Sequence, residues 1–219
     1  MKYLLSLMLS ALTLFGSDAD GEKYQKVPFT VPVDFSKKGT VYETDFQAPW
    51  NIWGSEVIFG LLVNSNWWDT PLDSEERKVN TSLDFASRDE KLIPKEKQQY
   101  FKFKVTLTPL GWASNHIEIR TIDYLKAQFS GRTDGTQYDW MYNQKDIWQK
   151  KEYKDGEKIE FITKVPLYGG DNGMGGKTIM IADLQRLRNY HIRVESLENV
   201  ELPKGVAIKF DINRYSRKV

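Results

Sequence analysis

The fold of this chain is decided by a stretch near its C-terminal end. It reads Asp183-Leu184-Gln185-Arg186-Leu187-Arg188-Asn189-Tyr190-His191-Ile192-Arg193-Val194. Its spacing is Leu-x-x-Leu-x-x-Tyr-x-Ile-x-Val, so the apolar residues recur every two positions from Tyr190 onward. Alternation with a period of two is typical of a half-buried β-strand. The stretch therefore predicts a strand that begins at Tyr190 and is preceded by a short connection.

A tyrosine in this place resembles the tyrosine corner of immunoglobulin-like and fibronectin-like β-sandwiches. In those domains a Tyr near the start of the penultimate strand bonds back to the loop before it. Tyr190 is therefore predicted to have a structural role, and residues 198–205, with Pro203 and Gly205, to form the loop to the last strand. The alternative is an ordinary junction between loop and strand with a core tyrosine.

Alternating segments extend from this stretch along the whole chain. The clearest is 101–108, where Phe, Phe, Val and Leu alternate with Lys and Thr, and others are predicted at 41–46, 117–121, 159–165 and 206–212. Residues 55–63 are almost continuously apolar, which favours a central strand. One short helix is expected over 179–187, with Ile181, Leu184 and Leu187 on one side. The predicted fold is an all-β, immunoglobulin-like or related antiparallel β-sandwich with long loops.

The N-terminal residues 1–19 have the three-part form of a bacterial signal peptide. Lys2 is followed by an uncharged apolar run over 3–15 and by small residues, with cleavage expected before Asp20. We expect one β-sandwich domain over 20–219 and a location in the periplasm or at the outer membrane. Leu14-Phe15-Gly16-Ser17 has the form of a lipobox in which Ser17 stands where a lipid-accepting Cys is required. Ordinary cleavage and a lost lipid anchor both remain open.

The composition excludes several classes of function. Lys and Arg number 31 against 30 Asp and Glu, without a basic block, so no nucleic-acid partner is expected. The chain has no Cys, which excludes disulfides and thiolate metal sites. A membrane contact is expected only through a lipid anchor, if Ser17 replaces a Cys. No cofactor is predicted.

Two segments also resemble a known family. Pro32-Val33-Asp34-Phe35-Ser36-Lys37-Lys38-Gly39 and Tyr190-His191-Ile192-Arg193-Val194-Glu195-Ser196-Leu197 are similar to the start and end of an uncharacterised family of bacterial envelope lipoproteins. The resemblance covers roughly residues 27–215. It implies a β-sandwich domain of unknown function and a lipid anchor, and it implies no activity. Ser17 departs from the Cys that the family carries.

Aromatic clusters give the strongest indication of a binding surface. One flanks the apolar segment 55–63, and another alternates so that its members share one face of an extended segment. Such rows can stack on sugar rings or anchor a protein partner, although aromatic residues also pack in cores. The candidate residues are Trp50, Trp53, Trp67, Trp68, Tyr138, Trp140 and Tyr142.

The glycine-rich stretch 169–178 is a candidate ligand loop. Its candidate residues are Gly170, Asp171, Gly173 and Gly176. A phosphate-binding loop needs Gly, four residues and then Gly-Lys-Ser/Thr, and Asp171 occupies the place of the first Gly. A carboxylate there repels phosphate, so the stretch is interpreted as a glycine-rich loop between elements. The alternative is a loop that closes over a ligand other than phosphate.

No catalytic or metal-binding set is evident. The two histidines, His116 and His191, are in phase with outward residues of their strands, and neither has a ligand partner at metal spacing. Acidic residues are numerous without forming a calcium-loop pattern. We therefore expect a non-enzymatic protein of the cell envelope that binds another protein, one version being an immunity protein that neutralises a secreted toxin. A carbohydrate-binding module using exposed tryptophans is the alternative, and a hydrolase with dispersed residues is third.

Overall fold

Eleven β-strands form the part of the chain that the structure, a computed structural model, describes: residues 24–50, 56–65, 99–114, 116–123, 148–167 and 176–215. The strands are β1 (Gln25–Lys26), β2 (Phe29–Pro32), β3 (Val41–Gln47), β4 (Glu56–Ser65), β5 (Tyr100–Leu110), β6 (Ile117–Ile122), β7 (Trp148–Tyr153), β8 (Ile159–Pro166), β9 (Gly176–Asp183), β10 (Asn189–Ser196) and β11 (Val206–Arg214). These ranges contain no helix.

The strands form two sheets that pack face to face. One sheet has the order β1-β3-β10-β5-β8 and the other β2-β11-β4-β9-β6-β7. Every pairing is antiparallel except the short contact between β1 and β3. Phe46 of the first sheet meets Phe59 of the second with ring centroids 5.6 Å apart, inside the shared core. The expected antiparallel β-sandwich is confirmed.

The pairing of the strands shows the topology of the chain. β3 pairs with β10, β4 with β9, β5 with β8 and β6 with β7. The chain thus runs out through four strands and returns antiparallel to itself through the next four. A long double ribbon of this kind, rolled so that its strands fall into two sheets, is a jelly roll. The structure is therefore a jelly-roll sandwich with β1, β2 and β11 added at its margins.

Burial follows the sequence pattern closely in the strands that have one face on the core and one face toward solvent. In β5 the side chains of Phe101, Phe103, Val105 and Leu107 are buried, and the Lys and Thr residues between them are half-buried. β4 lies between β11 and β9 inside the six-stranded sheet, as its apolar composition predicted. Phe35 extends the core from the β2–β3 connection. Its ring meets that of Phe103 in an edge-to-face arrangement, with the two centroids 5.2 Å apart.

The helix expected over 179–187 is wrong. Residues 176–183 form β9, and residues 184–188 are the connection to β10. β9 lies between β4 and β6, and every residue from Gly176 to Ala182 is buried. A strand covered on both faces loses its alternation of apolar and polar residues. The apolar residues at every third position therefore imitate one side of a helix.

No helix within the described ranges is long and apolar enough to cross a membrane.

Candidate functional site

Four connections leave the sandwich at the same end. Because the paired strands are antiparallel, the connections β3–β4, β5–β6, β7–β8 and β9–β10 all lie beyond the strand ends at which Asn189 pairs with Gln47 and Leu110. On the second sheet, Ile117 and Tyr153 pair at this end too. We call the described parts of these connections, residues 48–50, 111–114, 116, 154–158 and 184–188, the loop end. Binding sites are commonly built on such loops, held by a rigid frame.

Tyr190 holds the β9–β10 loop against the core. Its buried phenol oxygen accepts a hydrogen bond from the backbone N–H of Gln185 at 3.0 Å. This is the bond that the tyrosine-corner resemblance predicted. Burial raises the pKa of the Tyr190 phenol, so the neutral form that fits this site is favoured. The loop after Gln185 is therefore fixed at its base.

The β9–β10 loop is also bonded to the β3–β4 connection. The backbone N–H of Ala48 donates to the carbonyl oxygen of Arg188 at 2.8 Å, and that of Leu187 donates to the carbonyl oxygen of Ala48 at 3.1 Å. These two bonds run in opposite directions, so each segment both donates and accepts. Trp50, two residues beyond Ala48, is thereby kept beside the β9–β10 loop.

Side-chain bonds join the remaining two connections. Gln185 Oε1 accepts a hydrogen bond from the backbone N–H of Ser114 at 2.9 Å. The Ser114 hydroxyl donates to Asp155 Oδ1 in the β7–β8 turn at 2.7 Å. All four connections are therefore linked by hydrogen bonds. Because Gln185, Ser114 and Asp155 bond to one another's loops, these polar groups hold the loop end together.

Apolar side chains project outward from this bonded frame. Trp112 is 90% exposed, Trp50 is 57% exposed and Leu187 is 51% exposed. They come from three different connections, β5–β6, β3–β4 and β9–β10. Large exposed apolar groups gathered at one end of a fold are a feature of interaction sites. These three side chains are the candidate binding surface.

Trp112 is absent from the residues that the sequence analysis proposed. It sits in a turn closed by the Ala113 N–H and the Leu110 carbonyl oxygen at 3.2 Å, with Gly111 at a φ of 59°. A left-handed first central residue favours glycine, so Gly111 marks the turn. The signal was present in the sequence: a tryptophan directly after a turn glycine, where the alternation of 101–108 stops, has no sheet face on which to be buried.

Two arginines flank the exposed leucine. The guanidinium carbon of Arg186 lies 5.7 Å from the centroid of the Trp50 ring, a cation–π contact that orients both groups. Among the described residues, neither Arg186 nor Arg188 forms an ion pair. By contrast, Arg193 on the sheet face is paired with Glu43 at 2.9 Å. The loop end therefore carries positive charge that the described chain leaves without a carboxylate.

The outer face of the five-stranded sheet has the opposite character, because its charges neutralise one another. Its ion pairs include Arg193 with Glu43 and with Glu195 at 3.3 Å, and Lys104 with Glu160 at 3.2 Å. Such exposed pairs contribute little to stability and leave little net charge for a ligand. This face is solvated, so the loop end remains the stronger candidate.

The two histidines lie apart from each other and each faces one carboxylate. His116 Nε2 is 2.8 Å from Glu152 Oε1, and His191 Nδ1 is 2.7 Å from Asp45 Oδ1. Ser114 is close to His116 in sequence, but its hydroxyl donates to Asp155. Ser114 Oγ also accepts a hydrogen bond from the backbone N–H of His116 at 3.0 Å. The described residues thus show no hydrogen bond between a serine hydroxyl and a histidine imidazole ring, as a simple triad requires. The same residues hold no cluster of three or more His, Asp or Glu side chains suited to a metal ion.

Several proposed residues lie outside the described ranges. These are Ser17, Trp53, Trp67, Trp68, Tyr138, Trp140, Tyr142, Gly170, Asp171 and Gly173. Gly176, placed in the ligand loop by the sequence analysis, is instead the first residue of β9. It is buried and pairs with Leu62 of β4, which excludes it from an exposed loop. Trp50 is exposed, as a binding surface needs.

Comparisons with known proteins bear on the fold alone. No protein-family model matches the chain, and no curated protein matches it either. The chain is similar to a crystal structure from Sulfurospirillum deleyianum, with a TM-score of 0.51 and 15% identity over 87% of this chain and 98% of that one. At this identity the likeness shows a shared fold.

Two further solved structures match more distantly. Both are crystal structures of the BFDV capsid protein. The decameric form has a TM-score of 0.28 and 10% identity, covering 84% of this chain and 98% of that one. The 60-mer form has a TM-score of 0.26 and 12% identity, covering 88% of this chain and 98% of that one. Likenesses of this strength carry no inference about this chain.

Proposed function

We propose that this chain is an exported, non-enzymatic binding protein of the bacterial cell envelope that engages a protein partner through its loop end. The observation that carries the proposal is Trp112, 90% exposed on a hydrogen-bonded frame that also presents Trp50 and Leu187. An immunity protein that neutralises a secreted toxin is one concrete version. The placement in the envelope rests on the signal-peptide pattern of residues 1–19 and the lipobox-like Leu14-Phe15-Gly16-Ser17.

The chemistry of the loop end favours a protein partner. Residues that dominate protein–protein binding are enriched in Trp and Arg, and the loop end carries both. The hydrogen bonds between its loops reduce the ordering that binding would otherwise require. Sugar recognition, in contrast, needs polar groups that are free to bond hydroxyls, and Gln185, Ser114 and Asp155 bond within the frame.

Comparative capture from envelope extracts tests this proposal. The wild-type chain and the variant Trp50→Ala/Trp112→Ala are immobilised at equal density, together with a control, Ile162→Ala. Ile162 is 60% exposed on β8, away from the loop end. We expect a stoichiometric protein partner that the wild type and the control retain and that the double variant loses. Equal recovery on all three surfaces, or no partner on any, contradicts the proposal.

A carbohydrate-binding module is the second candidate, and the exposure of Trp50 and Trp112 supports it. A planar indole ring open to solvent can stack on the apolar face of a sugar ring. Titration of the intrinsic tryptophan fluorescence with glycans, including peptidoglycan fragments, tests this function. A saturable shift that Trp112→Ala removes supports sugar binding. The absence of a shift with every glycan excludes it.

A further inference from the structure

The tip of the β9–β10 loop has a composition that the fold itself does not require. It consists of Arg186, Leu187 and Arg188, and all three side chains are exposed. Leu187 has a φ of 55°, in the left-handed region where glycine is favoured and a bulky side chain is strained. Glycine or asparagine would satisfy the backbone at this position without exposing an apolar group. An exposed leucine held in a strained conformation therefore points to a contact made by its side chain.

The charge around Leu187 specifies what that contact is. Arg186 and Arg188 directly precede and follow Leu187 in the chain, both are exposed, and neither forms an ion pair among the described residues. Hydrogen bonds hold the backbone of the tip in place, because the Leu187 N–H donates to the Ala48 carbonyl oxygen and the Gln185 N–H donates to the Tyr190 phenol oxygen. The tip therefore presents one exposed apolar side chain, flanked by two arginines, on a fixed backbone.

We propose that the Arg186-Leu187-Arg188 tip docks into a partner protein whose surface has an apolar recess bordered by Asp or Glu side chains. This inference rests on the proposed function and names its partner chemistry. The recess takes the leucine side chain, and the bordering carboxylates accept hydrogen bonds from the guanidinium groups, which bind carboxylates with two parallel bonds. Trp50, in cation–π contact with Arg186, extends the contact on one side.

The experiment uses the full chain and a displayed library of random dodecapeptides as the probe. Peptides enriched on the wild-type chain are measured for affinity against Arg186→Glu/Arg188→Glu and Leu187→Gly. The matched control is Lys38→Glu/Lys204→Glu, which makes the same change of charge at exposed residues near the opposite end of the sandwich. Circular dichroism confirms that each variant is folded, and the charge-reversal pair serves alone if Leu187→Gly does not fold.

We expect enriched peptides that carry Asp or Glu on both sides of an apolar residue. Their Kd should rise at least about tenfold on each tip variant, stay within about twofold on the control, and rise with added salt. Peptides that bind Arg186→Glu/Arg188→Glu as tightly as the wild type overturn the inference, as does the absence of enrichment.

The two proposals fail in different ways. Peptides that lose affinity on Trp112→Ala but keep it on both tip variants refute the role of the tip and leave the loop end as a protein-binding surface. A dimer of this chain that disappears in Arg186→Glu/Arg188→Glu refutes the acidic partner, because the occupant is then a second copy. If every loop-end variant still binds the peptides and still captures the partner from envelope extracts, both proposals are refuted.

Discussion

The phenol oxygen of Tyr190 accepts a hydrogen bond from the backbone N–H of Gln185 at 3.0 Å. The Tyr190 ring is fully buried and lies 5.9 Å from that of Phe46 between centroids. One residue thus belongs to the core through its ring and to the loop end through its oxygen. The position of the β9–β10 loop is therefore coupled to the packing of the core.

Tyr190→Phe removes this bond and keeps the ring. A hydrogen bond of this kind contributes about 1 kcal/mol, so we expect the free energy of unfolding to fall by about that amount. Urea unfolding followed by circular dichroism measures the change. Tyr153→Phe, at a second fully buried tyrosine, is the comparison and should cost less. A Tyr190→Phe variant as stable as the wild type would show that the bond does not hold the loop.

The same tyrosine predicts a dependence on alkaline pH. Burial raises the pKa of Tyr190 above its ordinary value, because the charged phenolate is poorly solvated in the core. Its contribution to stability is therefore complete below the unfolded pKa, about 10, and is lost as the pH rises through the raised folded pKa. We expect the stability difference between wild type and Tyr190→Phe to narrow above pH 10 in urea titrations. A difference that is constant to pH 12 contradicts this assignment.

Phe35→Ala should be strongly destabilising. Phe35 is fully buried in the β2–β3 connection, with its ring against those of Phe103 and Phe210 at 5.2 Å and 6.1 Å. Truncation of a buried phenylalanine leaves a cavity and costs about 3–5 kcal/mol. Thermal or urea unfolding measures the loss. Phe161→Ala, at a half-buried phenylalanine of β8, should cost less, and an equal loss in the two variants would refute the central place of Phe35.

Leu187→Gly should leave the fold as stable as the wild type or slightly more stable. A left-handed conformation costs an L-residue about 1–2 kcal/mol, and glycine avoids this at an entropic cost of about 0.5–1 kcal/mol. The net gain in the free energy of unfolding is therefore between zero and about 1.5 kcal/mol, measured by urea unfolding. Leu184→Gly, at a buried leucine of the same loop, should instead be destabilising. A marked loss of stability in Leu187→Gly would mean that its side chain supports the fold.

Trp112→Ala should not change stability. Its side chain is 90% exposed, and substitutions at such positions stay within about 0.5 kcal/mol. The midpoint of urea unfolding tests this expectation. Trp50→Ala should cost slightly more, because it also removes the cation–π contact with Arg186. A large loss in Trp112→Ala would show that the indole packs against the chain and is not a free binding group.

Strands are predictable from the sequence where local pattern and burial agree. Alternation located β5, β10 and β11, because each of these strands has one face on the core and one facing outward. It failed in β9, where both faces are covered and the alternation disappears. The jelly-roll topology could not be predicted from alternation, since strand pairing joins residues that are distant in the chain.

The loop end was predicted only in part. Trp50 was named from its place in an aromatic cluster, whereas Trp112 was missed because a single tryptophan forms no pattern. The strain at Leu187 depends on a backbone angle that its residue type argues against, so the sequence gives no indication of it. The hydrogen bonds that join the four loops depend on how the strands are paired, so they could be identified only in the structure.

The strand topology also determines the order in which the sandwich can fold. β10 lies between β3 and β5 in its sheet, so this sheet has no centre until residues 189–196 have been synthesised. Asp45 and His191 meet at 2.7 Å although 146 positions separate them. Contacts between such distant residues slow folding, because a long loop must close before they contribute. Fragments that stop before β10 should therefore remain unfolded, and the complete chain should close its sandwich in one late cooperative step.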